Sequence, residues 1–136
     1  MIKDQEEMQK KIAEIRYLED QISQMEGQIR IVDREIMELQ NLILSLDEIK
    51  NMKNKEAIIP LGKDIFVKSN INKGDEIFVN IGSKTIVKKS NEETKKLLED
   101  KKDKFFEARD NIGREAGEVI QKIEKIEKEI IGMQDN

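Results

Sequence analysis

Ala57-Ile-Ile-Pro60-Leu-Gly-Lys-Asp-Ile65-Phe-Val-Lys-Ser-Asn-Ile71 and Glu76-Ile-Phe-Val-Asn-Ile81-Gly-Ser-Lys-Thr85-Ile-Val-Lys-Lys89 are the two runs that decide how this chain folds. Apolar residues recur here with a period of two, and Gly and Asn punctuate the runs. The pattern predicts four short strands, Ala57–Leu61, Ile65–Ile71, Glu76–Ile81 and Thr85–Lys89, with turns at Gly62-Lys-Asp, Asn72-Lys-Gly74-Asp and Gly82-Ser. Pro60 lacks a backbone donor and belongs at an edge or a strand start. Ile65 and Val67, with Ile77, Val79 and Ile81, fall on one alternating set. Four such strands are too few to bury both faces of a sheet, and a lone hairpin is marginal in water. Exposed edges and an apolar face call for a partner, which makes Ile58, Ile59, Ile65, Val67, Ile77, Val79, Ile81 and Ile86 candidate assembly residues. A small cap folded on the rest of the same chain is the other reading; assembly is the favoured one.

Upstream lies a heptad helix. With Ile15 as position a, the a positions are Ile15, Ile22, Ile29, Ile36 and Ile43, and the d positions are Leu18, Met25, Val32, Leu39 and Leu46. Every seam position is apolar, which specifies a coiled coil. Met8 keeps the register and Ile12 lies beside it, so a helix from about residue 3 to 50 is expected, roughly 70 Å long. Downstream, Ser90 followed by Glu93 has the spacing of a capping box and opens a second helix. Its d positions are Leu98, Phe105, Ile112, Val119, Ile126 and Met133, and its a positions are Lys102, Arg109, Ala116, Ile123 and Ile130. The two cations can lay their stems on the seam and keep their charges wet. Gly113 and Gly117 within this helix signal local flexibility or close packing. The expected class is α+β: a long antiparallel two-helix coiled coil joined by two β-hairpins that build an oligomeric β-barrel head. Its segments are 1–50, 51–90 and 91–136, in one structural domain.

Composition limits the chemistry. The 136 residues are 40% charged, with four Phe, one Tyr and no Trp, Cys or His. Disulfides, Cys or His zinc sites and Cys–His or Ser–His–Asp catalysis are therefore excluded. No base–nucleophile pair and no glycine-rich phosphate loop is visible, so neither an enzyme nor a cofactor is expected. No apolar run approaches a membrane span and the N-terminus lacks the core of a signal peptide, so a cytoplasmic protein with no membrane partner is expected. Net charge is −4. Lys50–Lys104 holds 14 Lys against 9 acids, whereas the flanks hold 11 bases against 20 acids. Acidic helices argue against nucleic acid as a partner.

The run Ile58-Ile59-Pro60-Leu61-Gly62, then Ile65-Phe66-Val67-Lys68, Glu76-Ile77-Phe78-Val79-Asn80-Ile81-Gly82 and Ile86-Val87-Lys88-Lys89-Ser90 before Glu92-Glu93 resembles the alpha class of prefoldin, of the archaeal type. The likeness covers nearly the whole chain, because the flanking heptads and the length agree. Ile stands where that family often has Val, and a long acidic C-terminal tail is missing. The resemblance implies an ATP-independent holdase: two alpha-class subunits pair through their doubled hairpins, four beta-class subunits complete the body, and non-native clients held at the arm tips pass to a group II chaperonin. The tips would be Ile2, Met8 and Ile12 on one helix and Ile126, Ile130, Ile131 and Met133 on the other. The competing reading of these residues is ordinary seam packing. Alternatives for the chain as a whole are a filament-forming or scaffold coiled-coil protein of the same type, and a coiled-coil finger that enters a polymerase channel. The finger lacks support, since the helices are joined by strand pattern rather than an acidic turn.

Overall fold

A computed structural model describes residues 2–134. Its elements run α1 (Ile2–Ile49), β1 (Lys53–Gly62), β2 (Ile65–Lys73), β3 (Glu76–Gly82), β4 (Thr85–Ser90) and α2 (Asn91–Gln134). Both helices, both hairpins and their order agree with the sequence reading. The strands are longer than alternation alone indicated. β1 begins at Lys53 rather than Ala57, and β2 runs to Lys73 rather than Ile71. Lys53 pairs with Lys73, Lys55 with Ile71 and Glu56 with Asn70. These are largely polar residues held by backbone ladders, which no apolar period announces.

The contacts divide the chain into two compact units. One joins α1 up to Glu35 with α2 from Phe105 onward. Its core is Leu18, Val119, Ile123 and Ile126, flanked by Ile15, Ile22, Met25 and Ile130. Lys11 faces Glu129 and Asp33 faces Arg109, so rising numbers on α1 meet falling numbers on α2 and the pair is antiparallel. The heptads explain this: alternating steps of three and four keep one apolar stripe turned to the partner helix. Gly113 and Gly117 have nothing within 4 Å of where a Cβ would stand. Of their two readings, close packing therefore does not hold within the chain.

The second unit, residues 36–104, holds the hairpins and the adjoining helix ends. Ile43, Leu46 and Leu98 form its core, with Leu39, Ile49 and Ile77 against it. Each hairpin is its own two-stranded antiparallel sheet. Ser90 caps α2: its hydroxyl accepts the Glu93 N–H at 3.1 Å and its carbonyl accepts the Thr94 hydroxyl at 2.8 Å.

The two hairpins are copies of one design. Glu56, Gly62, Val67 and Lys68 recur as Glu76, Gly82, Val87 and Lys88, each twenty residues on. Both turns place two residues in left-handed conformation, Lys63 and Asp64 in one and Ser83 and Lys84 in the other. That is a type I′ turn, whose twist suits a hairpin. The preceding glycines have φ of 126° and 122°, a region closed to most side chains. Both ladders slip at the same place, next to that glycine. Even the cross-strand ion pair repeats: Glu56–Lys68 at 3.3 Å and Glu76–Lys88 at 3.6 Å.

Candidate functional site

Where the hairpins meet the helices, the chain is tied by buried polar contacts. Asn91, the first residue of α2, has no solvent exposure. Its side-chain amide donates to the Leu46 carbonyl at 2.8 Å and the Gly74 carbonyl at 3.1 Å. Its backbone N–H donates to the Asp75 carbonyl at 3.0 Å. Gly74 N–H donates in turn to Met52 O at 2.9 Å, and Met52 N–H to Ile49 O at 3.0 Å. A Cβ on Gly74 would lie 1.5 Å from the Ile49 carbonyl oxygen, so only glycine fits. One α1 carbonyl, the link between hairpins and the start of α2 thus share one asparagine. The hairpin roots are fixed before any partner arrives.

Above this junction the strands are open. Ile58 (71%), Leu61, Ile65, Phe66, Phe78 (66%), Ile81 and Ile86 are well exposed, and Ile59 and Val67 rather less so. Nine of the nineteen large apolar side chains exposed among the described residues lie on the four strands. Six of the eight candidate assembly residues are among them. Ile77 and Val79 are half-buried: Ile77 packs on the helix-end core, and both line an apolar groove of about 270 Å³ with Leu42, Leu46, Phe78, Leu97 and Leu98. Ile77 therefore already anchors its own hairpin. Sequence alternation assigned one apolar set and missed Leu61, Phe66 and Phe78, because apolar residues occupy both faces. For Phe66 and Phe78, adjacency to Ile65 and Ile77 in the sequence was the available signal.

At the other ends of the helices, Ile2 (76%), Ile12 and Ile131 are exposed and Met8 and Met133 half-buried. Ile126 is buried in the seam and Ile130 packs against it. Those two hold the coil, Ile126 buried and Ile130 half-buried. Beside them Lys11 Nζ donates to Glu129 Oε2 at 2.5 Å. This hydrogen bond raises the Lys11 pKa and lowers that of Glu129. At the opposite ends Lys50 pairs with Glu92, lowering the Glu92 pKa, and Lys95 with Asp47 at 3.1 Å, raising that of Lys95. Among the described residues no acidic group is arranged to hold a metal ion, and no helix is long and apolar enough to cross a membrane.

Paired helices joined through two hairpins whose apolar side chains are largely exposed define a coiled-coil subunit. Residues 18–134 match the family model described as prefoldin subunit. The chain belongs to the prefoldin family, within its alpha class. It is 33% identical over 109 residues to prefoldin subunit alpha of Methanobrevibacter smithii, covering 75% of each chain. It is 26% identical over 98 residues to the subunit of the same name in Methanosphaera stadtmanae, covering 72% of this chain and 70% of the relative. Among solved structures, a filamentous prefoldin of Methanocaldococcus jannaschii superposes with a TM-score of 0.76 at 25% identity, over 85% of this chain and 96% of the other. Membership implies a chaperone role and oligomers formed with other prefoldin subunits.

Proposed function

We propose that this chain is a subunit of a cytoplasmic, nucleotide-independent holdase that takes non-native protein at the free ends of its helices and releases it to a group II chaperonin. The observation that carries this reading is the placement of exposed apolar side chains, Ile2, Ile12 and Ile131, outside the sealed seam at those ends. Non-native chains expose apolar surface, and covering it in a shared interface removes it from water. The half-buried Met8 and Met133 add flexible thioethers that adapt to irregular partners. The strands serve assembly: two copies of this chain with four beta-class subunits, bound through Ile58, Ile59, Ile65, Val67, Ile81 and Ile86, with Ile77 and Val79 supporting from beneath. No catalysis, cofactor, membrane or nucleic acid is involved. The likeness to a filamentous protein favours one second reading, an open assembly of this chain by itself.

Light scattering of a chemically denatured test protein diluted into nucleotide-free buffer tests the proposal. The assembled protein should suppress aggregation fully without ATP, and a strict ATP requirement would remove the holdase reading.

A further inference from the structure

At the root of the first hairpin (β1–β2), like charges meet. Lys53 and Lys73 are direct partners in the ladder, so their side chains share one face. Two cations facing each other across a ladder destabilise the pairing unless something neutralises them. Both border a hollow of about 330 Å³, shared with Lys50, Asn54, Asn72 and Asp75. Asn54, next to Lys53, has φ of 51° within a strand, a left-handed conformation that persists only where the surroundings hold it. The acids nearby are committed elsewhere. Asp75 Oδ1 accepts the Asn91 N–H at 3.3 Å, and Glu92 takes Lys50. Glu76 lies 3.6 Å from Lys88 and only 4.0 Å from Lys73. The Ile49 carbonyl at the end of α1 is likewise taken, by the Met52 N–H. Among the described residues Lys53 has no acidic partner. The second hairpin lacks such a pair: twenty residues on from Lys73 stands Glu93.

We propose that this hollow binds a phosphate-type oxyanion, which joins Lys53 to Lys73 and ties the root of the first hairpin to the helix end. Lysine ammoniums act toward phosphate as point charges, so they need no fixed fork geometry. Asn54 and Asn72 bring side-chain amides that can donate to further oxygens. These donors arrive from β1, from β2 and from the end of α1. Such a spread suits a tetrahedral anion, whose oxygens point several ways, better than a carboxylate, whose two oxygens point one way. The hollow also has room for pyrophosphate, or for one phosphate with water around it. Binding there turns a repulsive cross-strand pair into a bridged one. The anion is structural and takes no part in holding clients, so this inference stands apart from the proposed function.

Isothermal titration calorimetry of pyrophosphate into the full chain, in phosphate-free buffer of low ionic strength, tests this. The chain should bind one anion per copy. Lys53→Gln and Lys73→Gln should each weaken binding about tenfold, the loss of one charge-assisted contact. Lys63→Gln and Lys84→Gln remove exposed lysines at the hairpin turns and should leave the affinity unchanged. Equal weakening by all four variants would reduce the binding to general attraction by a basic surface and overturn the proposal, as would no binding at all. Thermal unfolding adds a readout whose sign depends on the anion. Without it, Lys53→Gln relieves the like-charge pair and should unfold no earlier than the unaltered chain. With saturating pyrophosphate, the same variant should unfold several degrees earlier, because only the unaltered chain gains from the ligand. A midpoint lowered equally in both buffers would mean that Lys53 serves packing alone, and the proposal would fall.

Discussion

The Asn91 side-chain amide donates to the Leu46 carbonyl across 2.8 Å with no solvent reaching either group's contact. Leu46 is a seam residue of α1 and Asn91 opens α2, so one hydrogen bond fixes where the returning helix starts relative to the outgoing one. A second donation, to Gly74 O at 3.1 Å, places the link between hairpins in the same knot. Asn91 Oδ1 has no partner among the described residues. The site therefore keeps a buried polar residue for its two donations, which an apolar replacement cannot make.

Breaking that knot should loosen the hairpins without unwinding the helices. Asn91→Leu removes both side-chain donations of the buried knot and should cost about 1–3 kcal/mol. Gly74→Ala forces a Cβ against the Ile49 backbone and should cost a similar amount, since the obstacle is main chain and cannot rotate away. Thermal unfolding by circular dichroism reads both. If Gly74→Ala leaves the midpoint unchanged, the described junction is not the one in solution.

Opposite behaviour is expected on α2. Gly113 and Gly117 stand in open space in the middle of a helix, where glycine costs about 1 kcal/mol relative to alanine. Gly113→Ala and Gly117→Ala should each stabilise the chain by roughly that much. A loss of stability instead would mean that another subunit's backbone approaches there in the assembly.

The Lys11–Glu129 pair should make the helix ends sensitive to acid. Lys11 holds the Glu129 carboxyl below the usual carboxylate range. The folded state thus binds that proton less readily than the unfolded one, so the contribution is present above the ordinary range and lost as pH falls through it to the lower folded value. The raised Lys11 pKa acts at the other limit: its contribution holds below the ordinary lysine range and disappears as pH rises through the folded value. Unfolding midpoints of the unaltered chain and of Glu129→Gln should differ near neutrality and converge in acid. Both side chains are solvent-accessible, so the difference should also shrink in high salt. Equal midpoints at neutral pH and low salt would show that the pair does not form.

Much of this architecture was legible because it rests on periodicity. Ile15 to Leu46 repeat without a fault, and every one of those seam positions is buried or half-buried. The Ser90–Glu93 cap was readable for the same reason, a fixed spacing with one physical purpose. What stayed hidden lacked a local signal. Lys53–Glu56 is a strand only because Asn70–Lys73 lies beside it. Asn91 looks like an ordinary residue of a helix start, and its burial follows from the meeting of segments distant in sequence. Among the candidate client residues, the heptad register already placed Ile126 and Ile130 on the seam, and packing on Val119 and Ile123 keeps them there. The twenty-residue repeat was visible in the letters, but it gained meaning only when turns, slips and ion pairs coincided.

The central claim is that the exposed helix ends hold clients independently of assembly and of the seam. Ile2→Ser, Ile12→Ser and Ile131→Ser together remove exposed apolar surface and leave Leu18, Val119, Ile123 and Ile126 packed. The decisive measurement is suppression of client aggregation in nucleotide-free buffer by this triple variant and by the unaltered chain, each assembled with its beta-class partner at matched oligomer concentration. Helicity and sedimentation should be unchanged, and suppression should fall by about tenfold, the loss of a few buried methylenes per contact. Undiminished suppression by an intact assembly would contradict the account and move the client site away from the helix ends.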